Sequence, residues 1–199
     1  MIIDDISSDN IIQLKQMDMM KSSIIKLDNF IEDIINYSHN ARTEVVKEAI
    51  SFKETIQDIT SKHIYMDGAK EIKLNVKIDQ NLKFITDIGR VNVVLNNLIS
   101  NAFKYNDPSK ENSFIMIHIK CSNDHAVISI EDNGIDSKNK EKIFEMFYRA
   151  TKTSTGSGLG LYIVKETLEK LKGSIKMESK LTKGTKFIIT LPNQLVVLN

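Results

Sequence analysis

A chain of 199 residues, 41% of them hydrophobic and with a formal net charge of +1, is long enough for one core plus an appendage, or for two small domains. The near balance of charge removes the electrostatic case for nucleic acid or an anionic membrane as partner. The single cysteine, Cys121, cannot close an internal disulfide, no apolar run approaches the ~20 residues needed to span a bilayer, and the acidic opening MIIDDISSDN is unlike a signal peptide.

Between Asn10 and Ile59 there is neither proline nor glycine, and helix formers dominate. Met17, Ile24 and Ile31 recur every seventh residue, as do Met20, Leu27 and Ile34, which predicts a long helix with an a/d-type seam over about three heptads that wants another helix, or else one amphipathic helix packed on its own domain. The pattern loosens at residues 40–43 and resumes from Ala49 (AISFKETIQDI) as a short second helix, so a mobile joint is expected at residues 37–48. After Gly68 the period changes to two: EIKLNVKID sets Ile72, Leu74, Val76 and Ile78 between polar residues, the pattern of a half-buried strand. A boundary near residue 66 follows, dividing a helical segment (1–66) from a second domain (67–199).

Residues 84–87 read as a short strand, and 88–106 as a long helix closed by the turn NDP. Two alternating strands come next, 114–120 and 127–131, separated by the hairpin-like SNDH; a short helix is expected at 139–148. The polar loop TKTSTGSGLGL, residues 151–161, runs into LYIVKETLEKL, where Leu161, Val164, Leu168 and Leu171 stand at helical spacing. Strands at 174–178 and 186–190, joined by LTKG, close the chain. Strands and hairpins grouped around helices, without regular βαβ alternation, predict an α+β fold: a two-layer α/β sandwich whose mixed, mostly antiparallel sheet is covered on one face, preceded by a long N-terminal helix.

Three stretches carry chemistry. Gly156, Gly158 and Gly160 let the backbone approach a ligand with no Cβ in the way, and the helix that follows points unpaired amides at it, which suits a phosphate. Such a loop is also an ordinary connector. On the helix at 88–106, Asn97, Asn101 and Lys104 share a polar stripe opposite Val91, Val94, Leu95, Leu98 and Ala102. The stripe either faces water or offers an amide oxygen to a hydrated magnesium ion and an ammonium to a phosphate. Asp132, at the end of VISIED and followed by Asn133 and Gly134, is either part of a common turn or a carboxylate that accepts a hydrogen bond from the exocyclic amine of adenine.

Taken in order, NLISNAFKYN from Asn97, DNG from Asp132, IFEMFYRA from Ile143, GSGLGL from Gly156 and KGTKFIITLP from Lys183 resemble the ATP-binding catalytic domain of sensor histidine kinases. That domain belongs to the wider ATPase group that includes DNA gyrase, mismatch-repair ATPases and heat-shock chaperones. The resemblance covers residues 71–192, and the phenylalanine motif IFEMFYR separates the kinases from the other branches. It implies ATP and Mg2+ as ligands. Asn101 would hold the magnesium with Asn97 beside it, Lys104 would lie near the phosphates and Tyr105 against the nucleotide. Asp132 would bind the adenine amine, with Gly134 and Ile135 as pocket wall and Thr185 closing that end. Phe144, Phe147 and Arg149 would anchor a lid over residues 151–155, which should be mobile without ATP, and Gly156, Gly158, Leu159 and Gly160 would cradle the triphosphate. The N-terminal part is similar to the second helix of the family's dimerisation bundle. The implied partners are ATP, a histidine-bearing dimerisation helix, a response regulator receiver domain and a second copy through the N-terminal helix, in a cytoplasmic, two-component phosphorelay whose intact sensor is compatible with membrane association.

Two departures qualify the match. DNGI runs directly into DSKNKEKIF, with Asp136 where the family's second glycine would stand, which shortens the turn beside adenine. The family's phosphoacceptor motif, of the form HExRxP, is absent, and His39, His63, His118 and His125 stand in no such context. The reading is therefore a protein histidine kinase catalytic domain, a transferase inactive alone, in a fragment that begins after the first bundle helix or in a natural chain that never had one. The alternatives are a nucleotide-free pseudokinase or dimerisation module of the same fold, and an ATPase of the chaperone or topoisomerase type.

Overall fold

In the computed structural model the described residues are 2–63, 69–107, 110–134, 142–149, 157–180 and 184–195. A helix α1 (Ile2–Arg42) leads into strand β1 (Glu48–Ile50), helix α2 (Phe52–His63), strands β2 (Lys73–Asp79) and β3 (Phe84–Thr86), and helix α3 (Ile88–Lys104). Strands β4 (Phe114–Cys121) and β5 (His125–Asp132), helix α4 (Gly160–Lys170), and strands β6 (Ser174–Lys180) and β7 (Gly184–Pro192) follow. Five strands form one sheet in the order β2-β4-β5-β7-β6. Only β2 and β4 pair in parallel; the other three pairings are antiparallel.

The alternation seen in the sequence is what makes the sheet one-sided. Ile115, Ile117 and Ile119 of β4 and Ile128 and Ile130 of β5 are buried beneath α3 and α4, while Met116, Lys120 and Glu131 lie on the open face, where Lys186 pairs with Glu131 at 3.1 Å. Val91, Leu95, Leu98 and Ile99 of α3 and Val164 and Leu168 of α4 complete the core, each large aliphatic side chain contributing about 1.5–3 kcal/mol by leaving water. The architecture is the α/β sandwich with a mixed sheet and a preceding helix that the sequence predicts.

Three local expectations are corrected. Ala49 and Ile50 belong to a strand and not to a helix, because β1 pairs with β3 in a separate two-stranded ribbon, Ala49 opposite Ile85 and Ile50 opposite Phe84. The ribbon carries α2 against the body: Phe52 and Phe84 are both fully buried with ring centres 5.5 Å apart. The short helix expected at 139–148 is, among the described residues 142–149, a single 3-10 turn at Lys142–Phe144. The expected mobile joint at 37–48 is tied down: Arg90, buried in α3, donates from Nε to Asn40 Oδ1 at 2.9 Å and from its terminal nitrogens to the carbonyls of Thr43 and Glu44. Those carbonyls belong to the unpaired end of α1 and its exit. Lys170 of α4 adds bonds to the carbonyls of Asn40 and Ala41.

Asp87 is the other half of this clamp. Its carboxylate caps α3 through the Arg90 amide at 2.9 Å, takes the Val46 amide at 3.0 Å and pairs with the Arg90 guanidinium. Burial by itself would raise its pKa, but these hydrogen bonds and the adjacent cation outweigh burial and hold it below the usual 3.8. Arg90→Met should destabilise the fold by about 3 kcal/mol, because it strands a buried carboxylate; urea melts check this, and a loss within the scatter of surface substitutions would contradict it.

Candidate functional site

Helix α3 brings the first group of predicted residues together. Its buried face fixes its rotation, so Asn97, Asn101 and Lys104 are half-buried along the opposite edge rather than free on the surface. Asn97 donates from Nδ2 to the Val93 carbonyl at 2.9 Å. Its Oδ1 lies 2.5 Å from where a Cβ on Gly160 would stand, so only a glycine lets the first turn of α4 come this close to α3. Lys104 Nζ sits 5.3 Å from the centre of the Tyr105 ring, within cation–π range.

The second group forms at the ends of β5 and β7. Asp132, 7% exposed, is paired in register with Thr185, itself 8% exposed. The Gly134 amide donates to Asp132 Oδ1 at 2.9 Å. A Cβ on Gly134 would collide with the Tyr105 carbonyl, and one on Gly184, whose φ is +104°, would collide with the Asp132 carbonyl. Backbone therefore closes in on this carboxylate from both sides. Asn133 fixes the turn to the loop before β4, accepting from the Phe114 amide and donating to the Asn112 carbonyl, and Lys110 Nζ donates to the Asn133 carbonyl.

Burial pushes the Asp132 carboxyl up to about 6, against the amides of Gly134 and Thr185 and the nearby charge of Lys110, which pull it down. Such a group still accepts hydrogen bonds at neutral pH, and in a desolvated place where they are strong.

The third group surrounds the start of α4. Gly158 has φ +79°, and a Cβ there would meet the Phe147 carbonyl carbon at 2.8 Å. Phe147 has φ +62°, a left-handed backbone that a bulky residue adopts only when its surroundings hold it. Its side chain is 56% exposed, as is most of Arg149, whereas Phe144 packs on the core. Leu159 is buried, and its amide donates to Ser157 Oγ at 3.1 Å. Ile135, Gly156 and the expected lid at 151–155 lie outside the described residues.

The sequence reading passed over three contributors. Gly184 lay inside a quoted motif, its positive φ unforeseen; Lys110 follows a turn; Asp33, on α1, accepts the Ser157 hydroxyl at 2.5 Å. The assembled groups suit a purine nucleotide: a buried carboxylate to accept from an exocyclic amine, glycines where a Cβ would collide, the Asn97 amide oxygen against the first turn of α4, and the Lys104 ammonium at the end of α3. Among the described residues no three His, Cys, Asp or Glu side chains cluster as a metal site.

Comparison with known proteins points the same way. The family model described as histidine kinase-, DNA gyrase B- and HSP90-like ATPase matches residues 86–195. The autoinducer 2 sensor kinase/phosphatase LuxQ of Vibrio vulnificus is 32% identical over 193 residues, covering 90% of this chain and 22% of that protein. The chain thus spans about a fifth of that relative's length. The nucleotide-free catalytic domain of the histidine kinase ThkA matches with a TM-score of 0.62 and 26% identity over 74% of this chain and 98% of that one. Full-length ShkA in complex with AMPPNP shares the fold, with a TM-score of 0.71 and 19% identity over 90% of this chain and 38% of that one.

Because the folded state holds the Asp132 proton more tightly than the unfolded chain, this residue's contribution is lost as pH rises from 3.8 through about 6. The gap corresponds to on the order of 3 kcal/mol. Asp132→Asn should therefore flatten the fall in stability between pH 4 and pH 7 and leave the ligand-free protein at least as stable as wild type at neutral pH, measured by denaturant melts across that range. A variant that loses stability at pH 7 would show the carboxylate to be structural.

Proposed function

Because this chain belongs to the histidine kinase-, DNA gyrase B- and HSP90-like ATPase family, in its sensor histidine kinase branch, we propose that it binds Mg-ATP and presents the γ-phosphate to a histidine carried on another segment. The observation that carries this reading is Asp132: a buried carboxylate, raised to about 6, at the bottom of a place where Gly134 and Gly184 leave no room for side chains. ATP supplies the transferable phosphoryl group. The protein's part is positioning and charge stabilisation, which requires no nucleophile of its own.

In this reading Asp132 accepts from the adenine amine, and Thr185, Gly134 and Tyr105 close around the base. Ile135 belongs to the same wall by sequence. Asn101 holds the magnesium ion with Asn97 one turn away, Lys104 neutralises phosphate charge, and the amides around Gly158, Leu159 and Gly160 hold phosphate oxygens at the start of α4. Gly156, Phe147 and Arg149 belong to the lid side.

Three of the chain's four histidines, those whose side chains the structure describes, support an acceptor in trans. His63 stacks on Phe103 with ring centres 5.7 Å apart, His118 lies 3.3 Å from an Asp79 carboxylate oxygen, and His125 caps a hairpin with Ser122. Each has a structural engagement away from α4. A dimerisation role for α1 is supported by its seam: Met17, Ile24 and Ile31, with Met20, Leu27 and Ile34, are all 42–65% exposed, a continuous apolar stripe on a helix about 60 Å long. A receiver domain would take the phosphoryl group onward from the acceptor histidine. No described helix is long and apolar enough to cross a membrane; we place this domain on the cytoplasmic side of whatever sensor carries it.

Titration with AMPPNP and Mg2+ should show saturable binding, weakened at least tenfold by Asp132→Asn through loss of one buried charge-assisted hydrogen bond. With labelled ATP, the chain alone should stay unlabelled and phosphorylate a histidine-bearing dimerisation helix added in trans, with Asn101→Ala abolishing transfer. Absence of binding at millimolar nucleotide would refute the kinase reading and leave a nucleotide-free module. Ile24→Asp with Leu27→Asp should convert a self-associating chain into a monomer in sedimentation equilibrium; a wild-type chain that is monomeric at high concentration would rule out the seam as a dimer face.

A further inference from the structure

Helix α1 touches the body along α4, and the contact nearest the phosphate cradle is made by a carboxylate. Ser157 Oγ donates its only proton to Asp33 Oδ2 at 2.5 Å while accepting from the Leu159 amide. Asp33 is half-buried there, and the Lys104 ammonium acts on it electrostatically. An acidic side chain thus engages the hydroxyl of Ser157, inside the glycine turn, and acts on Lys104, the ammonium expected near the phosphates, next to the amides that open α4. A carboxylate and a phosphate are alike in what they ask of such a site: both are oxyanions drawn to hydroxyl, amide and ammonium donors. The Ser157 hydroxyl has one proton to give and cannot serve both, and two anions held side by side repel.

The rest of the contact shows that this seating is built. Tyr37 and Tyr162 face each other with ring centres 5.8 Å apart. Lys170 binds the carbonyls of Asn40 and Ala41, and Arg90 holds the end of α1 two turns beyond Asp33. Burial pushes the Asp33 carboxyl above its ordinary value, with the Ser157 hydrogen bond and Lys104 opposing it and Glu32 adding to it. The group is thus drawn into the contact at some cost in solvation.

We propose that Asp33 is a further affinity-determining residue of the nucleotide site, an internal anion that holds the phosphate end against α1 and must be displaced when the triphosphate binds. The proposal rests on the Mg-ATP reading of the site. It couples two events that the fold otherwise keeps apart, nucleotide binding and release of α1 from α4, and the coupling is reciprocal. Whatever pulls α1 away raises nucleotide affinity, and nucleotide frees α1 to take another position.

The test compares wild type with Asp33→Asn and Asp33→Ala in the full 199-residue chain, measuring AMPPNP–Mg2+ binding by calorimetry. A second readout is the distance between spin labels at Leu14→Cys and Lys120→Cys in a Cys121→Ser background. Both Asp33 variants should bind AMPPNP roughly tenfold more tightly, the scale of one charge-assisted hydrogen bond no longer to be broken. The label distance should shift on adding nucleotide to wild type, and without nucleotide in Asp33→Ala. Equal or weaker binding in both variants, with thermal melts showing them folded, overturns the displacement while leaving the Mg-ATP reading intact. If neither wild type nor variants bind AMPPNP, the Mg-ATP reading fails and the proposal falls with it.

Discussion

The buried pair Arg90–Asp87 is where the parts of this structure are joined. Asp87 starts α3 by capping its first turn, and Arg90 reaches back to the end of α1, so one ion pair fixes both the helix that carries the polar stripe and the helix that arrives from outside the body. The Val46 amide joins the same carboxylate, which seats the ribbon of β1 and β3 and with it α2. A buried ion pair is seldom a net source of stability, because desolvating two charges costs about as much as their attraction returns. Its value here is geometric. The guanidinium's donors reach the Asp87 carboxylate, the Asn40 side chain and the carbonyls of Asn40, Thr43 and Glu44 at the end and exit of α1, and no aliphatic replacement could do that.

From that anchor the candidate site follows by close approach of backbone. α3 and α4 meet where Gly160 faces Asn97; β5, β7 and the end of α3 meet where Gly134 and Gly184 flank Asp132. These contacts bring main-chain groups against the buried Asp132 carboxylate from both sides. A site of this kind recognises by position and hydrogen bonding, since little flexible side-chain surface is available to adapt. The cost appears as a carboxyl pushed up to about 6, a local destabilisation of the sort expected where function and stability compete.

How much of this was legible in the sequence depended on whether the deciding contacts were local. The strands around Ile115–Ile119 and Ile128–Ile130 and the helix bearing Leu95 and Leu98 announce themselves by period, because burial on one face is all that selects their residues. The glycine turn and Asp132 stand out as candidates because each lies in a contiguous motif. β1 was not, since EAI continues a helical pattern and becomes a strand only by pairing with β3, more than thirty residues on. The clamp by Arg90 was equally hidden, its partners lying 46 to 50 residues away. Asp33 lay furthest out of reach, as a charge on a solvated helix whose partner, Ser157, stands 124 residues later.

That last separation bears on what α1 is for. Its middle presents an exposed apolar seam, Met17 to Ile34, while its final turns are bound to the body through Asp33, Tyr37 and Asn40. The two halves ask for different things: the seam for another helix, the docked end for α4. A continuous helix transmits a rigid rotation along its length, so occupation of the seam cannot be independent of the docked end unless the joint yields. Arg90 resists yielding at the chain's exit, which leaves the contacts with α4 as the part that gives. In the proposed coupling, the Asp33 carboxylate is then the place where a change in helix packing reaches the start of α4.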